Sequence, residues 1–344
     1  MSSTAVNDSP LIDKKGGRPK TSPSPWKPKK NKKEREDFPG LRSLNGKWGY
    51  LFVAPFIIMF IIFGMFPVLY STVIAFYEFD PLAGAGGLSL EGQTFVGFEN
   101  FIYLLQDDRL YTAIGNTFDI WFWSTFPQMV ISIGLAAVLR NRFLKAKTFW
   151  RTILLVPNIT SVLAVAIVFG QLFGREFGII NWVLGLFGVD NIDFVEDPLA
   201  SHIAIATMIT WRWAGYNALI FLASMLAIPD ELYESAALDG ASAWQQFRYV
   251  TLPGLRNTIT FTLIVGTIGG LQVFAEPLTL AGTTDGGSTH QLLTLTMFLY
   301  DSAFGASSKW GYGAAVGIII TIIVLIVSLV NFLVTRKLAS GEAK

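Results

Sequence analysis

Residues 312–334 read YGAAVGIIITIIVLIVSLVNFLV, 23 residues without a charge. A hydrocarbon core about 30 Å thick takes roughly 20 apolar residues wound as a helix, so this stretch is long enough to cross a bilayer. Backbone polar groups find no water there and must bond within their own segment, which leaves the helix as the form for so long a run. Five further apolar windows precede it, one uncharged and the others nearly so: Tyr50–Tyr77, Ala113–Leu139, Phe149–Phe173, Ala200–Ala227 and Ile259–Ala281. None shows the alternation over about ten residues that marks a barrel strand. Composition agrees, with 52% of the 344 residues hydrophobic, 15% charged and a mean hydropathy of +0.48. The expected fold class is an all-α integral membrane protein with six transmembrane helices. Pro67 removes a backbone bond inside the first window and is expected to bend it.

The ends differ from this middle. Residues 1–47 are rich in Lys, Pro, Ser and Gly, include the run KPKKNKK at 27–33, and hold no apolar face to bury. They are expected to form a disordered basic tail, followed by a transmembrane domain over 48–338 and a short tail over 339–344. The first apolar stretch starts too late and runs too long for a cleaved signal peptide. Lysines just before a span read as a topology signal, so membrane lipid and no nucleic acid is the expected partner of the tail. With six spans, 22 of the 26 Lys and Arg residues fall on one side, against Arg109, Arg175 and Lys309 on the other, with Arg212 inside a span. Positive loops face inward, so both termini and the 228–258 loop are expected to be cytoplasmic.

The chain has no cysteine and two histidines, His202 and His290. That removes disulfides, thiolate metal sites and cysteine nucleophiles, and leaves each histidine as a polar residue near a helix end. No G-x-x-x-x-G-K-[ST] pattern offers a means of binding ATP, and no Ser-His-Asp set or H-E-x-x-H motif occurs. Neither catalysis nor a cofactor or metal is expected in this chain.

The loop between the fourth and fifth windows reads IPDELYESAALDGASAWQQFRYVTLPG over 228–254. Pro229 and Asp230 open a helix, Glu231 and Glu234 suit its positive end, and Gly240 can adopt the positive-φ turn that stops it. A second amphipathic helix follows, with Trp244, Phe247 and Val250 at near-helical spacing, until Leu252-Pro253 returns the chain to the membrane. A short knob of this kind projecting into cytoplasm suits docking into a partner.

These residues resemble the permease subunits of binding-protein-dependent ABC importers, marked by E-A-A-x-x-x-G, nine residues, then I-x-L-P. Glu234-Ser235-Ala236, Gly240 and Val250-x-Leu252-Pro253 stand at those spacings, with Ser and Val as mild departures. The resemblance covers most of 50–336 and is nearest to the carbohydrate branch, kin of the maltose permease, through Val96–Phe101, Asn116-Thr117, Phe149–Pro157 and Trp211–Tyr216. It implies the type I importer permease fold in a bacterial cytoplasmic membrane, working as a heterodimer with a second homologous permease. It also implies two ATPase subunits that bind ATP and Mg, and an extracytoplasmic sugar-binding protein. Glu234, Ser235, Ala236, Gly240, Leu252 and Pro253 would then form the ATPase-coupling loop. Glu78–Tyr111 is too short for the large extracytoplasmic insertion of the maltose subunit.

For the substrate path the resemblance aligns Tyr216 with a sugar-contacting tyrosine, and a ring with a hydroxyl suits a sugar's face and rim. The face Gly266, Gly269, Gly270 and Val273 falls where that branch places polar sugar contacts. Its glycines equally suit close helix packing. Gln272 and Asn116 are the better polar candidates, with Trp213 and Arg212 beside Tyr216. A charge at membrane depth costs roughly 2.5–3.5 kcal/mol or more, so Arg212 is a functional candidate, or the partner of a carboxylate such as Glu276. Two other readings remain: an ion-coupled secondary transporter, for which relay acids and an internal repeat are not evident, and a permease for a non-sugar solute. A membrane scaffold would leave the 228–258 loop unexplained.

Overall fold

The computed structural model describes residues 47–80, 89–305 and 309–339. The basic tail, up to residue 46, and residues 340–344 lie outside these. The chain divides into two units, Met1–Ile61 and Ile62–Lys344. In the first, helix α1 covers Lys47–Phe60, with Phe56 and Phe60 stacked 6.3 Å apart.

A π turn over Ile61–Met65 precedes α2, Phe66–Ile74, whose second residue is Pro67. Proline cannot donate to the carbonyl four residues back, and the widened turn is the form its disturbance takes. Strands β1, Tyr77–Glu78, and β2, Thr94–Phe95, pair antiparallel. Helix α3, Glu99–Gln106, leads into α4, Asp108–Arg140. Asp107 caps α4 by accepting from the Arg109 amide at 3.0 Å. Burial pushes the Asp107 carboxyl up, and bonds from Arg109 and Tyr312 more than reverse this, leaving it below the ordinary carboxylate value.

The third apolar window is not one straight helix. It forms α5, Lys147–Ile159, and α6, Val162–Leu172, which meet at 92°. Thr160 and Ser161 between them are extended, and the Thr160 hydroxyl bonds the Val156 carbonyl at 2.7 Å, satisfying a group the broken helix would leave open. After α7, Ile179–Leu186, comes α8, Pro198–Leu226, started by Pro198 and by Asp197, which accepts from the Ala200 amide at 2.7 Å.

The 228–258 loop holds α9, Asp230–Leu238; α10, Ala243–Gln246; a π turn, Phe247–Thr251; and α11, Leu252–Gly254. The fifth window also breaks, into α12, Arg256–Gly270, and α13, Ala275–Ala281, across the non-helical residues 271–274. Helices α14, Leu295–Phe304, and α15, Trp310–Ala339, complete the described chain.

Among the described residues four segments are long and apolar enough to cross a membrane: Gly49–Ile74, Asp108–Arg140, Arg256–Ala281 and Trp310–Thr335. The bent pair α5 and α6 makes a fifth if it is one span. Helix α8 is long enough but not apolar enough. Fifteen of its 29 residues are buried, so its neighbours cover much of the surface that lipid would otherwise have to cover.

Helices α4 and α8 form the centre, and their contacts advance together along both. His202 Nδ1 lies 3.6 Å from Asp119, Thr210 bonds the Ser124 carbonyl at 3.3 Å, and Ser132 bonds the Ala214 carbonyl at 2.9 Å. Ala136 and Leu139 then pack with Phe221, Leu222 and Met225. The two helices therefore run parallel. Gly215 lets α5 approach α8 so closely that a Cβ there would strike the Leu154 carbonyl. Gly215→Ala should destabilise the detergent-solubilised protein by the roughly 1–3 kcal/mol typical of overpacking, read as a lower melting temperature. Gly134→Ala, with open space around its Cβ, should not.

Candidate functional site

The loop over 228–258 is built by two specific end motifs. At the end of α9 the Gly240 amide bonds the Ala237 carbonyl at 3.0 Å and the Ala241 amide bonds the Ala236 carbonyl at 2.9 Å. This is the Schellman arrangement, which requires a left-handed residue, and Gly240 supplies it with φ of +80°. Ser242 and Gln245 then start α10 with a reciprocal capping box. Glu234, Ser235 and Gly240 are exposed and Ala236 half-buried. The Ser235 hydroxyl turns back to the Glu231 carbonyl at 2.9 Å, so serine at this position adds no unmet polar group.

Beyond α10 the expected amphipathic α-helix departs from regular spacing. The π turn carries Phe247 and Val250, and Trp244 is 67% exposed, its ring stacked on Phe247 at 5.5 Å. This indole is therefore an outward apolar surface and not part of the core. Leu252 and Pro253 begin α11 and are exposed. At the foot of the loop a Cβ on Gly254 would come within 2.6 Å of Ile228 Cδ1.

The loop is braced against α4. Arg140, the last residue of α4, places its guanidinium carbon 3.9 Å from the centre of the Tyr233 ring and its Nη2 3.3 Å from Asp230 Oδ1. The Tyr233 hydroxyl lies 2.9 Å from that of buried Thr251. A cation over a ring contributes about 0.5–1 kcal/mol where exposed and about 2 kcal/mol where desolvated.

Deeper in the bundle, Arg212 and Glu276 are 8% and 6% exposed and meet with Nη1 to Oε1 at 2.8 Å. Arg212 Nε is buried without a partner. Trp213 and Tyr216 sit on the exposed side of α8, their rings 5.8 Å apart at 82°. Ser224 and Thr258 hydroxyls lie 2.7 Å apart, and Val273 packs with Ile205, Met208 and Ile209, so α12 runs antiparallel to α8. Moving eight residues along each helix from Ser224 and Thr258, about 12 Å, brings Tyr216 and Gly266 to the same level.

The glycine face divides. A Cβ on Gly270 would come within 2.7 Å of Trp121 on α4, one on Gly266 would touch Thr125 at 3.8 Å, and one on Gly269 would meet nothing. Gly270 thus serves close packing, and Gln272 stands exposed in the break after it. Asn116 is engaged through its amide nitrogen. Its amide donates to the carbonyls of His290 at 2.8 Å and Leu293 at 3.0 Å, fastening the segment before α14.

A family model described as "Binding-protein-dependent transport system inner membrane component" matches residues 128–340. The chain belongs to this family. It is a multi-pass membrane protein. The chain is 33% identical to the lactose transport system permease protein of Rhizobium radiobacter, over 84% of this chain and 94% of the relative. It is 32% identical to the arabinooligosaccharides transport system permease protein of Bacillus subtilis, over 82% and 86%. Its fold resembles that of a bacterial ABC transporter involved in import of the acidic polysaccharide alginate, with a TM-score of 0.70 at 24% identity, over 85% and 96% of the two chains.

Several residues of this transport component were beyond the reach of the sequence. Arg140 is one more cation in a basic loop, and only folding sets it on Tyr233, 93 residues later. Gly215 carries no pattern beyond its place among small residues of α8, and Ser242-x-x-Gln245 is a capping-box signal that the sequence does print. Removing one member of the Arg212–Glu276 pair leaves a buried charge uncompensated, at about 3–5 kcal/mol. Arg212→Met and Glu276→Leu should therefore each lower the detergent melting temperature sharply, and the double substitution should recover much of the loss.

Proposed function

We propose that this chain is a permease subunit of an ATP-driven importer of disaccharides or short oligosaccharides. The observation that carries the reading is the exposed helix–turn–helix loop of a binding-protein-dependent transport component. Glu234 and Ala236 on α9 and Gly240 in its left-handed turn stand at the family spacing from Leu252-Pro253. The sugar class is supported by the names of the relatives at 33% and 32% identity.

In this reading the chain crosses a bacterial cytoplasmic membrane six times. The parallel run of α4 and α8 needs one return crossing between them, which bent α5 and α6 supply, and α8 is a span shielded by its neighbours. Both termini and the 228–258 loop face the cytoplasm. Two ATPase subunits carry ATP and Mg, and one of them receives α9 and α10 of this chain, with the exposed Trp244–Phe247 stack as part of the contact. A second homologous permease completes the path, and an extracytoplasmic binding protein delivers the sugar. Tyr216 and Trp213 offer the sugar an aromatic platform with a hydroxyl rim, at the level of Gly266, while exposed Gln272 in the helix break supplies an amide. Arg212 acts through its pair with Glu276, holding α8 against α13.

ATP-dependent uptake should be lost in Glu234→Lys and in Gly240→Val, the second because a β-branched residue resists φ of +80°. Membrane insertion should be unchanged in both. Normal transport together with normal ATPase assembly in both variants contradicts the coupling role. For the path, Tyr216→Ala should cut lactose or arabinooligosaccharide uptake about tenfold, and Tyr216→Phe less, because the ring is kept. Equal uptake by Tyr216→Ala and the unsubstituted chain, for each sugar that is transported, removes Tyr216 from the path.

A further inference from the structure

No residue of α9 is buried. Among the described residues, the side-chain bonds that reach α9 from outside the 228–258 loop come from Arg140: the ring contact with Tyr233 and the ion pair with Asp230. The Asp230 side chain is 86% exposed and that of Arg140 21%, so the cation is the fixed half of the pair. Tyr233 in turn holds Thr251, which is 4% exposed, so one ring joins both arms of the loop to the post.

Arg140 ends α4, which stays helical from Asp108 through the internal Pro127 to Arg140. Fifteen residues further up α4, about 22 Å, Thr125 stands beside Gly266, with Trp121 one turn beyond against Gly270. These are the α12 glycines at and just above the level of Tyr216. Packed helices shift as rigid bodies more readily than they deform, so a push on α9 that reaches Arg140 reaches that level too.

We infer that Arg140 is a positioning residue that transmits movement of α9 into α4, by way of the Tyr233 ring and Asp230. The inference rests on the importer reading above. It assigns to the end of α4, outside the coupling loop, the role of linking that loop to the substrate path.

The natural absence of cysteine gives a direct test. Phe126→Cys, on the exposed side of α4, is labelled with a maleimide in the complete reconstituted transporter, with and without MgATP and vanadate. The labelling rate should change about tenfold on nucleotide trapping, and Arg140→Gln should abolish the change while the ATPase subunits co-purify in full. Tyr233→Leu, and Tyr233→Leu combined with Arg140→Gln, should give the same loss and no more, and Arg140→Lys should retain part of the response. An unaltered response in Arg140→Gln overturns the inference, as do additive losses in the double variant. Loss of the ATPase in step with the response also overturns it, since the residue would then only support docking. If the unsubstituted chain holds no ATPase and shows no response, the importer reading has failed and the inference fails with it.

Discussion

Polar groups that this chain carries to membrane depth are costly unless they find partners inside the protein, and much of the architecture follows from that demand. Hydroxyls of Thr117, Thr207, Thr262 and Thr267 turn back onto carbonyls of their own helices at 2.6–2.8 Å. Ser132 also reaches across to the Ala214 carbonyl, and Asn331 on α15 donates to Thr267 on α12 at 2.8 Å. The demand is heaviest at Arg212 and Glu276. An unpaired charge at that depth costs roughly 2.5–3.5 kcal/mol or more, and paired they hold α8 to α13. A helix as polar as α8 is therefore stable only in the middle of the bundle, where α4 and α5 cover it.

The same economy explains the breaks. A straight helix satisfies itself, and an interrupted one frees backbone groups that something else must take. Thr160 takes one at the bend between α5 and α6. Thr294 takes the Val273 carbonyl at 2.9 Å beside the break before α13. Irregular backbone at such depth is tolerated where it is buried in protein or lines a cavity, which is why the exposed Gln272 in that break draws attention as a polar contact of the path. Outside the membrane the chain turns to ordinary end chemistry, with Asp107 and Asp197 as caps, the Schellman turn at Gly240 and the capping box at Ser242.

Much of this could be read from the sequence, for reasons that separate cleanly. Long apolar runs with few charges announce helices because such a run in lipid must satisfy its own backbone, and the structure returns helices in each window. The interruptions at Thr160 and near Gln272 leave only local marks, Pro157-Asn158 before the first and Gly269-Gly270 before the second, inside windows that are apolar enough overall to read as one helix each. The turn at Gly240 was legible because only the local geometry of α9 decides it. The bonds of Asn116 could not be read because its acceptors, His290 and Leu293, are more than 170 residues away. The pairing of Arg212 with Glu276 and the seat of Arg140 on Tyr233 are likewise long-range facts, and residue type alone could offer them only as candidates.

The account has one central claim, that a loop shaped for docking makes this membrane protein ATP-coupled. The most direct measurement is sugar uptake by proteoliposomes that hold the complete transporter and its binding protein, energised in turn by nucleotide and by an ion gradient. The account predicts accumulation when ATP and Mg are supplied on the side of the 228–258 loop, and none when an ion gradient is imposed without nucleotide. Accumulation driven by the gradient in the absence of nucleotide would contradict it.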